Sequence, residues 1–381
     1  MKLARRRFLR LIGGGLAAPA IAYSARSQTK DTSPANILPV DEPNPDFTYV
    51  PGLTPLAAAL RPYRKTTYRL EEQIIDRKLV VHNYGHGGAG ITMSWGCAQE
   101  VADIVIRRYP NPTGKPVAVL GAGVMGLTTA TWLTEKLNMQ VTMFAKRLIP
   151  QTTSNVAGGQ WAASSVEFQK TIPSEEAKFV RILRRAHEEH SRRGSVYGVS
   201  SRPNYSPRLL DGFEYVPHDI VPRVYLNRLP FDPMNRSGWE YSTLLIEPPI
   251  FLMKLQKELQ KNGVRFVNTE FFKEEQVLAL APEIIINCTG LGSHAIWPDP
   301  LLTPIKGQLV LLPAQPKLKY LFSGDGYVFP RADCTVVGGT YETSFTDETP
   351  DPQRCEELVK YAKDVFDGGL PIAPEWLIRN E

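Results

Sequence analysis

The stretch Val117-Ala118-Val119-Leu120-Gly121-Ala122-Gly123-Val124-Met125-Gly126 decides how this chain folds. A short apolar strand runs into glycines spaced G-x-G-x-x-G, and Leu127, Ala130, Leu133 and Leu137 then follow at helical spacing. A second strand resumes at Gln140-Val141-Thr142-Met143-Phe144, which makes the whole a βαβ unit. In such a unit Gly121 permits the tight turn and Gly123 lets a pyrophosphate approach the backbone, with Ala122 between them. Gly126 lets helix and strand pack closely. The positive helix end then faces the phosphates, so a dinucleotide is expected, either FAD or a nicotinamide. A carboxylate for the adenosine ribose normally ends the second strand, but here stand Ala145-Lys146-Arg147. Two basic residues also suit a ribose 2′-phosphate, which keeps an NADP-linked dehydrogenase as the rival reading.

A second glycine loop lies upstream, in His82-Asn83-Tyr84-Gly85-His86-Gly87-Gly88-Ala89-Gly90. Leu79-Val80-Val81 reads as a buried strand before it. Met93, Cys97, Val101 and Ile104 read as a helix after it, ended by Tyr109-Pro110-Asn111-Pro112. Backbone N–H groups from Gly87, Gly88, Gly90, Ile91 and Thr92 are expected to converge on a planar ligand, where the helix end favours the negative charge of a reduced flavin ring. That loop favours FAD over the nicotinamide. His82 and His86 have no carboxylate or cysteine beside them, so they read as structural hydrogen-bonding groups and no metal site is expected.

At these residues the chain resembles the D-amino-acid oxidase family of FAD enzymes. The matching pieces are Leu60-Arg61-Pro62-Tyr63-Arg64, Arg69-Leu70-Glu71, 81–98, 117–127, 147–161, 287–290, Gly307-Gln308 and 327–339. The resemblance implies Arg61 as a bidentate clamp on the substrate carboxylate and Tyr327 as a second carboxylate ligand. It places Arg147, Thr152, Thr153, Ser154, Gly159, Gln160 and Thr289 beside the cofactor. A lid tyrosine is replaced by Ser323, and an acidic ribose ligand by Lys146. The implied activity is hydride transfer from the α-carbon of a D-amino acid to flavin N5, giving an imino acid, with oxygen as acceptor and hydrogen peroxide as product. Catalysis lost from a flavin-binding scaffold is the third reading, motivated by Ser323 and the chain order.

Chain order is the departure from the family. The Arg-Pro and His-Asn-Tyr-Gly-His-Gly-Gly pieces normally come last, and here they come first. A circular permutation accounts for this most simply, since only residues 109–116 are needed to lead from the first helix into the Val117 strand. A swapped dimer or a misassembled gene are the alternatives. Permutation predicts a compact unit in which the residues near 381 lie close to Tyr49.

The outer regions read differently. Ala4-Arg5-Arg6-Arg7-Phe8-Leu9-Arg10, with the short apolar run to Ala22, reads as a twin-arginine export signal, implying the export machinery as a partner and a periplasmic or equivalent location. That run is too short for a stable membrane anchor. Removing its five basic residues takes the formal net charge from +5 to zero, which removes the case for a nucleic-acid partner. Residues 23–47, with four prolines, read as an extended linker. Cys97, Cys288, Cys334 and Cys355 show no metal or redox spacing. The expected fold is α/β, with a Rossmann-like FAD-binding domain (67–165 and 264–303) interleaved with an α+β substrate domain on an antiparallel sheet (48–66, 166–263 and 304–381). Residues 174–193 read as an amphipathic helix with His187-Glu188-Glu189-His190 on a solvated face.

Overall fold

A computed structural model of the protein describes residues 41–210, 213–343 and 345–378. The expected export signal and the expected linker as far as residue 40 lie outside the described residues. Three strands open the fold, β1 (Leu56–Arg64), β2 (Arg69–Ile75) and β3 (Lys78–Tyr84), and lead into helix α1 (Gly90–Arg108). The βαβ unit follows as β4 (Pro116–Leu120), α2 (Val124–Leu137) and β5 (Gln140–Ala145). Next come α3 (Pro173–Arg193), β6 (Val199–Ser206), β7 (Arg223–Leu226), β8 (Gly238–Ile246), α4 (Pro248–Lys261) and β9 (Arg265–Asn268). The remainder is α5 (Glu274–Leu278), β10 (Ile284–Asn287), α6 (Ser293–Ile296), β11 (Leu302–Leu312), β12 (Leu321–Ser323), β13 (Tyr327–Pro330), β14 (Thr335–Gly338) and α7 (Pro352–Phe366).

Two sheets result. The first has the order β2-β3-β10-β4-β5-β9, parallel except for the antiparallel edge strand β2. Its centre is apolar on both faces because helices or loops cover both, as parallel sheets require: Val80, Val81, Ala118, Val119, Ile285 and Ile286 are all fully buried. Helices α1 and α2 pack together against one face, with α3 on α1 and α4 on α2. In α1, Met93, Trp95, Val101 and Val105 are fully buried, worth roughly 1.5–3 kcal/mol each for side chains of this kind. Helices α3 and α4 contribute Phe179, Ile182, Leu183, Phe251 and Leu255 to this same core.

The second sheet has the order β1-β11-β14-β13-β12-β6-β8-β7 and is antiparallel except for the β12–β6 pair. Alternation gives it two distinct faces. One is covered by α7, through a cluster that includes Val310, Leu312, Phe322, Val337, Leu358 and Phe366. The other bears Leu245, Leu309, Leu321, Phe329 and Val336, with Tyr327 packed against them.

Two expectations change here. Residues 41–47 do not run free of the core: Tyr320 donates to the Pro43 carbonyl at 2.8 Å, and the Phe47 ring lies 5.5 Å from that of Phe366. The His187–His190 stretch is not a solvated face. His190 is fully buried and bonds the Ile91 carbonyl at 3.0 Å, and Glu189 is buried between Arg192 and Arg193. The helix presents these polar groups inward because each meets a partner there, which apolar periodicity does not register.

Candidate active site

The Gly121 loop lies at the carboxyl end of β4, between the ends of β5 and β10, where open parallel sheets bind ligands. Gly121 has φ +96°, and a Cβ there would meet the Cys288 carbonyl oxygen at 2.4 Å; at Gly126 it would lie 1.9 Å from the Gly121 oxygen. Any larger residue would push the helix off the strand. Helix α2 begins without a side-chain cap and without an acidic residue in its first turn, and the Val124 N–H donates to Ser154 Oγ at 3.0 Å. Hydroxyl and helix end thus converge on one point that suits a phosphate oxygen.

From this point a cleft of about 750 Å³ runs along both sheets. Its walls include Arg61, Gly87, Gly88, Gly90, Ile91, Gly121, Ala122, Gly123, Arg147, Thr152, Thr153, Ser154 and Thr289. The N-terminus of α1, also uncapped by any side chain, opens on it. Elongation, two helix ends and glycine-lined walls fit an extended dinucleotide carrying a second planar group.

The remaining predicted residues stand behind this wall. Gly126 is in the α2 packing contact, and Thr92 Oγ1 is held by the Ala162 carbonyl at 2.8 Å and the Ala162 N–H at 3.1 Å. The Gly159 carbonyl accepts from Ile246 N–H at 2.7 Å. Gln160 lies beside Ser323, whose hydroxyl sits 3.2 Å from Gln160 Oε1 and 2.9 Å from Asn204 Oδ1. The loop N–H groups are also partly spent: Gly87 N–H donates to Pro62 O and Gly88 N–H to Ser165 O, so the first turn of α1 is what the loop offers a ligand.

Arg61 reaches the cleft from β1. Its neighbour across the sheet is β11, where Ala59 pairs with Gly307, and the guanidinium lies over Gly307 so closely that a Cβ there would be 2.3 Å from Nη2. Nη1 donates to the Thr340 carbonyl at 2.8 Å, and among the described residues Arg61 makes no ion pair. Tyr327 stands next to it, stacked on Phe329 at 4.2 Å and packed under Gly158, Gly338 and Gly339. Burial pushes the Tyr327 hydroxyl above its ordinary pKa, against the pull of the neighbouring Arg61 and Arg331. It is therefore a neutral donor.

Arg64, two residues on, is committed elsewhere. It pairs with buried Asp299 at 2.8 Å, which also accepts from Tyr84 at 2.7 Å. Burial alone would raise the Asp299 carboxyl, but those two hydrogen bonds outweigh it and hold it below the usual range. His82 bonds Gln73 at 3.1 Å and Asn287 at 3.1 Å, while His86 lies 3.4 Å from Cys97 and stacks on Tyr68. Burial depresses both histidines to about 3. They hold the loop as neutral rings.

The basic pair after β5 is neutralised locally. Lys146 pairs with Glu270 at 2.8 Å and Arg147 with Glu348 at 2.6 Å, and all four residues line the cleft. Glu270 and Glu348 were not readable as site residues. Glu270 follows β9, a four-residue strand whose signal is only the apolar pair Phe266-Val267 after a helix and Gly263.

A family model described as "DAO: FAD dependent oxidoreductase" matches residues 116–379. The chain belongs to this family. FAD is accordingly the cofactor of this DAO-family chain, and the chemistry is that of an oxidoreductase of the D-amino-acid oxidase type. It is similar to a D-amino acid oxidase of Dugesia ryukyuensis, with 26% identity over 66% of this chain and 78% of that one. A human D-aspartate oxidase is 26% identical over 64% of this chain and 73% of its own. A D-amino-acid oxidase of Streptomyces coelicolor is 28% identical over 64% and 75%. Among solved structures, an iminodiacetate oxidase from Chelativorans sp. BNC1 aligns at TM-score 0.46 and 15% identity, over 66% of this chain and 79% of that one.

Proposed function

We propose that this DAO-family protein is an exported oxidase of D-amino acids, built on a circularly permuted chain. The observation that carries the substrate reading is Arg61. It is a cleft arginine that has no carboxylate partner among the described residues, resting on the bare backbone of Gly307, beside a tyrosine kept neutral. A planar guanidinium with five donors in a fixed fork suits a carboxylate better than any other common small-molecule group. Arg61 and Tyr327 hold the substrate by that carboxylate, which leaves the α-carbon as the group to be presented to the ring. When bound along the Gly121 loop and the first turn of α1, FAD would supply a two-electron acceptor for the α-carbon hydride, with oxygen as the terminal acceptor. Positioning accounts for most of what the protein must add, and no carboxylate or histidine needs to remove a proton from carbon.

Permutation is supported by where the match begins. Strands β1–β3 and helix α1 precede residue 116, yet β1 completes one sheet and β3 sits inside the other. Phe47 and Tyr49 pack in the same cluster as Trp376 and Leu377, so the start of the described chain meets its end. Export rests on the twin-arginine motif alone. The nicotinamide alternative loses its motive, since Lys146 and Arg147 already face carboxylates.

The test is an anaerobic titration of full-length holoprotein against D- and L-amino acids, glycine and sarcosine. Flavin bleaching by D-amino acids is the expected result. Bleaching only by secondary amines or L-amino acids would overturn the substrate reading, and intact flavin with no bleaching by any of them would favour a catalytically silent flavoprotein.

A further inference from the structure

We infer that Glu270, just past the end of the neighbouring strand β9, replaces the acidic ribose ligand that β5 lacks, and that Lys146 serves to hold it there. In a βαβ dinucleotide site the pyrophosphate lies at the glycine loop and the adenosine ribose lies beyond the end of the second strand, where a carboxylate accepts from its hydroxyls. Here that end carries Lys146, a donor without acceptor capacity, which cannot accept from a ribose hydroxyl. Strand β9 runs parallel to β5 in register, pairing Asn268 with Ala145. Glu270 therefore leaves β9 alongside the point where Lys146 leaves β5, and both side chains line the same end of the cleft with Thr269, Phe271 and Phe272.

Geometry and charge agree. Lys146 Nζ donates to Glu270 Oε1 at 2.8 Å, while Asn268 Nδ2 donates to the Lys146 carbonyl at 3.3 Å and ties the two strand ends together. An ionised carboxylate has about four lone-pair sites on its two oxygens, so one ammonium contact leaves room for vicinal hydroxyls. Both partners are about half exposed, so the pair itself contributes little to stability, and its effect is to orient. A carboxylate at this place also repels a 2′-phosphate, so the residue that suggested NADP becomes the support of a group that selects against it.

The inference rests on FAD binding and not on the substrate reading, and its test reads cofactor affinity without turnover. Full-length holoprotein is titrated with ADP and with 2′,3′-dideoxy-ADP, and FAD release is followed by flavin fluorescence. Glu270→Gln is expected to weaken FAD and ADP about tenfold each, one charge-assisted hydrogen bond's worth. Dideoxy-ADP should bind the native protein and Glu270→Gln equally. Lys146→Met should give a smaller loss with the same dependence on the hydroxyls. Equal weakening of ADP and dideoxy-ADP by Glu270→Gln would show an effect through the fold and overturn the assignment, as would unchanged FAD and ADP affinity.

Discussion

Gly307→Ala tests the proposed carboxylate clamp without substituting Arg61. The new Cβ would sit 2.3 Å from Arg61 Nη2, 2.5 Å from Cζ and 2.7 Å from Nη1. Ordinary contact begins at 3.4 Å, so the guanidinium must move by about 1 Å, away from a β11 backbone that is paired on both sides. A shift of that size is worth up to ~100-fold in a positioned site, and losing one charge-assisted hydrogen bond is worth roughly 1.5–3 kcal/mol. Apparent affinity for an amino acid, and for a carboxylate lacking the amine, should fall about 10- to 100-fold while flavin content stays native. Anaerobic spectral titration reads both quantities. In an Arg61→Ala background the same substitution should cost almost nothing more, because there is no guanidinium left to displace. Unchanged carboxylate affinity in Gly307→Ala, or fully additive losses in the double variant, would refute the assignment of Arg61.

Other perturbations follow from the same geometry. Among the described residues, Arg64→Met leaves buried Asp299 with Tyr84 and a backbone N–H, and should destabilise the fold by about 3–5 kcal/mol in chemical denaturation. His82, His86 and His190 are each depressed by burial to about 3. Between that value and the ordinary 6.5 the unfolded chain binds more protons than the folded one, so stability is full above pH 6.5 and falls as pH drops. Each contributes about 2 kcal/mol of loss by pH 5, a slope that denaturation midpoints at pH 7.5, 6 and 5 would measure and that His190→Gln should flatten. Joining residue 378 to residue 47 by a short linker and opening the chain between residues 111 and 113 should restore the usual motif order. Retained FAD absorbance in that protein is expected, and failure to fold would count against permutation.

Much of the frame was legible because it rests on local chemistry. A turn at φ +96° with a carbonyl 2.4 Å from any Cβ demands the glycine that is there, and the apolar runs of β3 and β4 read directly as strands, which the structure buries. What escaped were relationships between distant segments. Glu270 meets Lys146 only because β9 and β5 are neighbours, and Gly87 spends its N–H on Pro62 only because β1 ends there. His190 looked like one of a polar quartet until Ile91, 99 positions earlier, supplied the carbonyl that holds it inside. The linker boundary fell short for a related reason: its prolines spoke for extension, correctly, but extension does not prevent Phe47 from packing on a helix beyond residue 350.

The pairing of β1 with β11 and of β3 with β10 sets the order in which the protein can assemble. Leu56 finds its partner in Val310, and Leu79 finds its partner in Ile284, so two of the first three strands made by the ribosome have their pairing partners more than 200 positions downstream. Strand β1, which carries Arg61, and strand β3 must therefore wait, an edge exposed, until most of the chain has been synthesised. A nascent chain of this kind exposes unpaired strand edges to aggregation during that interval.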